Sequence, residues 1–139
     1  MDNIDYVLCE CALKSLKEIV ETLETACKIE IVKAPSICMT MIAAEDSVEL
    51  QPFYLGEALT TESELIVDGE IGYGICLGDE PVRSYCIAFI DAYLKKEGRN
   101  IELLSNFINE QNNMIEQKKQ EEHAFIMRTK VDFKLMEQE

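Results

Sequence analysis

Apolar residues recur at helical spacing near the start of the chain: Ile4, Leu8, Cys11, Ala12, Leu16, Ile19, Leu23 and Cys27 fall on one stripe, with Lys14, Lys17, Glu18, Glu21 and Glu24 opposite. This pattern predicts one amphipathic helix over residues 3–27, started by Asp2 or Asn3 as N-cap. The period then changes to two. Residues 29–35 (IEIVKAP) read as a short strand ended by proline. Residues 36–45 (SICMTMIAAE) are apolar or small at both alternating sets, as expected of a central strand. Residues 45–52 (EDSVELQP) form a polar turn.

Asp68-Gly69 between two β-patterned runs is the clearest turn signal, and predicts a two-residue type I′ hairpin. That turn sets a register: Ile66 faces Ile71, Leu65 faces Gly72, Glu64 faces Tyr73, Ser63 faces Gly74 and Glu62 faces Ile75. One face of the second strand then carries Gly72, Gly74 and Cys76, a row without bulk suited to close approach by a helix. The other face carries Ile71, Tyr73, Ile75 and Leu77 beside Glu62 and Glu64. Carboxylates among apolar residues point to solvent, a partner or a ligand. Asp79 is the expected N-cap of a following helix, with Glu80 and Pro81 in its first turn and Gly98 at its end. A third helix follows from Asn100. Residues 117–122 (QKKQEE) read as an exposed or flexible connector, and residues 129–135 (TKVDFKL) as a terminal strand. The predicted fold class is α+β: an antiparallel β-sheet of about four to five strands, including the Asp-Gly hairpin, packed with an N-terminal helix and two C-terminal helices. A single domain over residues 1–139 is expected, with 117–139 a mobile or partner-docked tail.

Composition narrows the function. The chain has 139 residues, 47% hydrophobic and 29% charged, as expected of a globular protein. Its net charge of −14 and pI of about 4.4 disfavour nucleic acid and anionic membrane surfaces as partners. They suit a solubility surface or a face for a basic partner. No apolar run is long enough for a bilayer span, and the acidic N-terminus is unlike a signal peptide, so a cytoplasmic protein is expected. The six cysteines include no C-x-x-C pair and there is one histidine, His123, so reduced thiols are expected and no metal site. Walker A, G-x-G-x-x-G, G-x-S-x-G and H-E-x-x-H motifs are all absent. Glu57, after Gly56, is the one carboxylate in a suggestive setting, a glycine turn leading into a strand; a solvated turn residue explains it as well.

Four stretches, VKAPSICMTMIA, FYLGEALTTESELIVDGEIGYGICLGD, YCIAFIDAYL and TKVDFKLME, lie in an order and spacing that resembles the PhnG family, a subunit of the bacterial phosphonate carbon–phosphorus lyase system. The resemblance implies a supporting subunit of a complex that makes ribose 1-phosphonate 5-triphosphate from ATP and a phosphonate. The nucleosidase-like chemistry is assigned to a large partner subunit, so the chain is not expected to act alone. Other lyase core subunits are the implied partners, and ATP and Mg²⁺ enter as substrates of the complex, not as cofactors held by this chain. The residues marked for ligand or partner binding are Gly56, Glu57, Thr61, Glu62, Gly72, Tyr73, Gly74, Asp79, Asp132 and Phe133, with no catalytic residue assigned. Several basic positions of the family are replaced here: Glu62 follows Thr61 where the family has Arg, and Asp79 follows Gly78 where it again has Arg. Two alternatives stand beside this reading. One is a diverged acidic α+β interaction or ligand-binding module forming homo-oligomers. The other is an independent hydrolase using Glu57, Glu62 and Glu64 with Mg²⁺.

Overall fold

The computed structural model describes residues 4–137, with side chains described through residue 130. The fold is α+β, in the order α1 (Ile4–Glu10), α2 (Leu13–Glu24), β1 (Ile29–Glu45), β2 (Pro52–Val67), β3 (Glu70–Leu77), α3 (Pro81–Lys95) and α4 (Glu102–Glu137). Contacts divide the chain into two compact units, residues 12–101 and residues 1–11 with 102–139.

The larger unit is an antiparallel sheet of order β1-β2-β3. The Asp68-Gly69 turn has positive φ at both residues, as a type I′ hairpin requires. It sets the expected register, Ile66 opposite Ile71 through Glu62 opposite Ile75. Asp68 is tied down from both sides: its carboxylate accepts from the Lys28 amide at 2.8 Å and pairs with Arg99. Helix α3 lies across one face of the sheet. Thr61, Ser63, Leu65 and Val67 of β2 are buried, as are Gly72, Gly74 and Cys76 of β3 and Ser84, Ala88, Phe89 and Ala92 of α3. A fully buried hydroxyl pair, Ser63 Oγ to Ser84 Oγ at 2.9 Å, joins strand to helix, and Ser84 Oγ also donates to the Gly74 carbonyl at 3.2 Å. Helix α2 packs on α3 through a stripe that buries Leu16, Ile19 and Val20. In the smaller unit α1 packs on α4, where Lys119 stands 4.4 Å from the centre of the Tyr6 ring.

Among the described residues there are three strands rather than four or five, because two expected breaks do not break the chain and the expected terminal strand is helical. Pro35 lies inside β1, among register shifts at Lys33 and Ser36. A sheet tolerates proline on an edge strand or at such an irregularity, and β1 is an edge strand. Gly56 is likewise no turn. It sits within β2 at the shift opposite Ile42 and Ala43.

The helices also depart from the pattern. The first apolar stripe is split at Cys11 and Ala12, where Ala12 turns to an extended conformation, φ −62° and ψ 126°. Neither residue is a helix breaker, so periodicity alone carried no sign of the break. The expected connector at 117–122 and the expected strand at 129–135 are both part of the 36-residue α4. Gln, Lys and Glu are strong helix formers and continue a helix without an apolar stripe. The Val131–Leu135 spacing fits a helix as well as the alternation fits a strand.

Strand β3 and helix α3 approach each other closely at two glycines. A methyl group at Gly72 would lie 2.6 Å from Ala92 Cβ and closer still to the Ala88 carbonyl; one at Gly74 would lie 2.6 Å from the Ala88 amide nitrogen and closer still to the Ser84 carbonyl. Gly72→Ala or Gly74→Ala is therefore expected to cost at least about 2 kcal/mol by forcing helix and sheet apart. Gly69→Ala meets no atom within 4 Å, and is expected to cost only about 1 kcal/mol for its left-handed backbone. Thermal or denaturant unfolding of the three variants checks the ranking.

Candidate functional site

The sheet face opposite α3 carries the chemistry. Strand alternation places Ile71, Tyr73, Ile75 and Leu77 of β3 on it, together with Glu62, Glu64 and Ile66 of β2. The β3 residues are exposed, Leu77 by 71%. Strand β1 completes the face. Lys33 lies opposite Glu64, and its Nζ reaches the Glu62 carboxylate at 3.0 Å. Beside them Thr60 Oγ1 meets Thr40 Oγ1 at 2.8 Å and Cys38 Sγ at 3.4 Å.

Glu62 is the centre of this group. Hydrogen bonding from Tyr73 first, then from Lys33 and Cys38, holds its carboxyl below the usual carboxylate range. Partial burial of the phenol, reinforced by the Glu62 carboxylate, pushes Tyr73 up to about 12. Lys33 is raised by its bond to Glu62. The face therefore presents a fixed carboxylate, a phenol that keeps its proton and a cation already paired with that carboxylate. Such a set donates and accepts hydrogen bonds. Its one cation, Lys33, is already paired with a carboxylate rather than left to receive a phosphate group. Residues 34–82 contain ten Asp and Glu residues and no Lys or Arg.

The other marked residues divide by position. Thr61 faces α3, fully buried. Its hydroxyl donates to the Gly78 carbonyl at 2.6 Å and accepts from the Glu80 amide at 3.0 Å, so it ties the β3–α3 turn. Gly72 and Gly74 serve helix packing. Asp79 is not the N-cap: α3 is preceded by Glu80, whose side chain makes no capping bond, and Pro81 occupies the first turn. Gly56 and Glu57 lie on the far part of the β1–β2 hairpin, Glu57 opposite Met41. Glu57 and Glu62 are five residues apart on one strand, hence about 17 Å apart and on opposite faces, so Glu57, Glu62 and Glu64 do not converge. Among the described residues no group of three or more His, Cys, Asp or Glu side chains is placed to hold a metal ion. Asp132 and Phe133 fall in the last turns of α4, outside the described side chains.

Sequence reasoning missed Lys33, Cys38, Thr40 and Thr60. Their place depends on the β1–β2 register, and the two shifts flanking Lys33 hide it from any alternation count. It also missed a shallow hollow of about 410 Å³ lined by Thr22, Cys27, Asp68, Tyr93 and Arg99, among others. Arg99 is fully engaged there: it lies 4.5 Å over the Tyr93 ring, donates to Cys27 Sγ at 3.4 Å and pairs with Asp68. That set closes the Asp68 turn.

A family model described as phosphonate metabolism protein PhnG matches residues 3–138. A search of curated proteins gives no match. Among the described residues no helix is long and apolar enough to cross a membrane.

Two outcomes separate the roles. Thr61→Val leaves the Gly78 carbonyl and the Glu80 amide without their partner, and is expected to cost about 1–3 kcal/mol in unfolding. Burial is the larger cause of the raised Tyr73 titration and remains in Glu62→Gln, so this variant is expected to bring it part of the way down from about 12, by removing the anion that also opposes ionisation. Tyrosine-selective NMR titration, with Tyr73→Phe to assign the signal, reads the shift. Because Glu62 is lowered in the fold, its contribution to stability is present above the unfolded carboxyl pKa and is lost as pH falls through the folded value.

Proposed function

Since the chain belongs to the PhnG family of phosphonate metabolism proteins, we propose that it serves as a single-domain supporting subunit of a carbon–phosphorus lyase complex. The complex forms ribose 1-phosphonate 5-triphosphate. A phosphonate oxygen bonds to C1′ of the ATP ribose, the bond from C1′ to the adenine nitrogen breaks, and adenine leaves with a proton. A large nucleosidase-like partner subunit carries this chemistry, in the cytoplasm, while the present chain contributes structure and contact surface. The family match, which spans nearly the whole chain, carries the reading.

The site supports this division of labour. A triphosphate approaching the outer sheet face would meet Glu62 and Glu64, with Lys33 already bound to Glu62. Charge repulsion there disfavours direct ATP contact unless Mg²⁺ intervenes. The same face offers Ile71, Tyr73, Ile75 and Leu77 with their apolar surface uncovered, which suits a protein neighbour.

Co-expression with the other lyase subunits is expected to recover this chain in a complex that forms the ribose phosphonate product from ATP and an alkylphosphonate, read by phosphorus NMR or mass spectrometry. Glu62→Gln and Tyr73→Phe, once assembled, are expected to lower product formation by less than about tenfold, against the 10²–10⁴ typical of a proton-transfer group. A chain that stays alone as a homo-oligomer while the remaining subunits make product without it defeats the proposal.

A further inference from the structure

Strand β3 pairs only with Thr60–Val67 of β2. Beyond Leu59 the chain continues as a bare two-stranded ribbon, β1 against β2, closed by the turn that Asp46 organises through its bonds to the Val48 and Gln51 backbones. A ribbon of two strands has no core of its own. On the side that α3 covers nearer the base, cross-strand pairing lines up Ile37, Met39, Met41 and Leu59, and Tyr54 continues the row past the register shift. All five are exposed, Met39 by 56% and Tyr54 by 69%. Methionine adapts its shape to a partner surface, and tyrosine anchors interfaces at low entropic cost. The ribbon carries Glu45, Asp46, Glu49 and Glu57 and no basic residue.

We propose that residues 39–59 form a docking arm that seats in an apolar cleft rimmed by Lys and Arg side chains on another protein subunit. Charge selects this occupant. Two copies of the arm laid together would oppose carboxylates with no cation to pair them, which costs stability across strands and interfaces alike. A basic rim pairs the same carboxylates while the Met and Tyr row buries its apolar surface. The arm deepens the assembly reading above and rests on it only for the identity of the subunit that supplies the cleft.

The test co-expresses three forms of the full chain with the other lyase subunits. The first is wild type. In the second, residues 41–57 are replaced by Asn-Gly, joining Thr40 to its partner Ala58 through a tight turn. The third carries Glu45→Lys, Glu49→Lys and Glu57→Lys. Circular dichroism and thermal unfolding report folding, and light scattering reports the oligomeric state of each chain alone. The shortened chain is expected to keep its fold and to be lost from the complex. The triple variant, at full length, is expected to bind at least about tenfold more weakly, and the wild-type complex to loosen with added salt. If wild type and shortened chain are both retained, the docking arm is wrong while the assembly reading stands. Undiminished binding by the triple variant overturns the basic cleft, and so does an arm whose removal only converts a homodimer to a monomer. If wild type itself is not retained, the assembly reading fails first and the arm with it.

Discussion

The approach of α3 to β3 is the constraint on which the rest of the larger unit depends. Helix backbone and strand backbone meet where Gly72 and Gly74 carry no side chain, with the Ala88 carbonyl and Ser84 carbonyl in the space a Cβ would need. At that distance the small residues of the helix become part of the contact, and the Ser63–Ser84 hydroxyl pair satisfies polar groups that would otherwise be stranded in the core. The same approach brings Asp91 and Lys95 over the rim of the sheet. Asp91 accepts from the Tyr73 amide at 3.0 Å and Lys95 Nζ donates to the Ile71 carbonyl at 2.8 Å. Two backbone groups on the outer edge of β3 are thereby capped by helix side chains, a known means of blocking unwanted strand addition.

A helix seated this closely commits the sheet to being two-faced. Everything that packs on α3 is small or buried, and the bulk of β3 must point the other way, as Ile71, Tyr73, Ile75 and Leu77 do. The carboxylates of Glu62 and Glu64 share that outer face because they alternate with Thr61, Ser63 and Leu65 on the inner one. Fixing Glu62 between Tyr73 and Lys33 then orders an otherwise loose acidic surface. An exposed ion pair of this kind adds little stability, so the ordering is better understood as presenting a defined polar spot within an apolar face.

Much of this was legible in the sequence. The Asp68-Gly69 turn fixed a register that holds at each predicted pair, because a two-residue loop leaves no freedom in which residues face each other. The bulk-free row at Gly72, Gly74 and Cys76 correctly marked where a helix would lie. What stayed hidden shares one physical cause. Lys33 reaches Glu62 only through a ribbon interrupted at Lys33, Ser36 and Ala43, and each irregularity resets which residue faces which. Pro35 and Gly56 misled for the same reason: each is punctuation in a regular strand but is absorbed at an irregularity. Apolar spacing is blind both to the backbone turn at Ala12 and to the helix propensity that carries α4 through its polar stretch.

The balance of buried and exposed surface explains why a fold so well specified at its base leaves so much uncovered. The inner face is closed by α3 with no room to spare, whereas the outer face and the ribbon expose Ile, Met, Leu and Tyr side chains next to carboxylates. Carboxylates beside those surfaces oppose the pairing of two copies, since every copy carries the same sign. Apolar patches guarded by like charge are stable in isolation only as long as the charge stays unpaired. A partner of opposite sign removes the repulsion and covers the patch in one step. Its binding then adds to the stability of the folded chain by mass action, because the unfolded chain presents no such surface. The acidity of the chain and its exposed apolar rows are in this view one device: the first excludes the wrong contacts and the second rewards the right one.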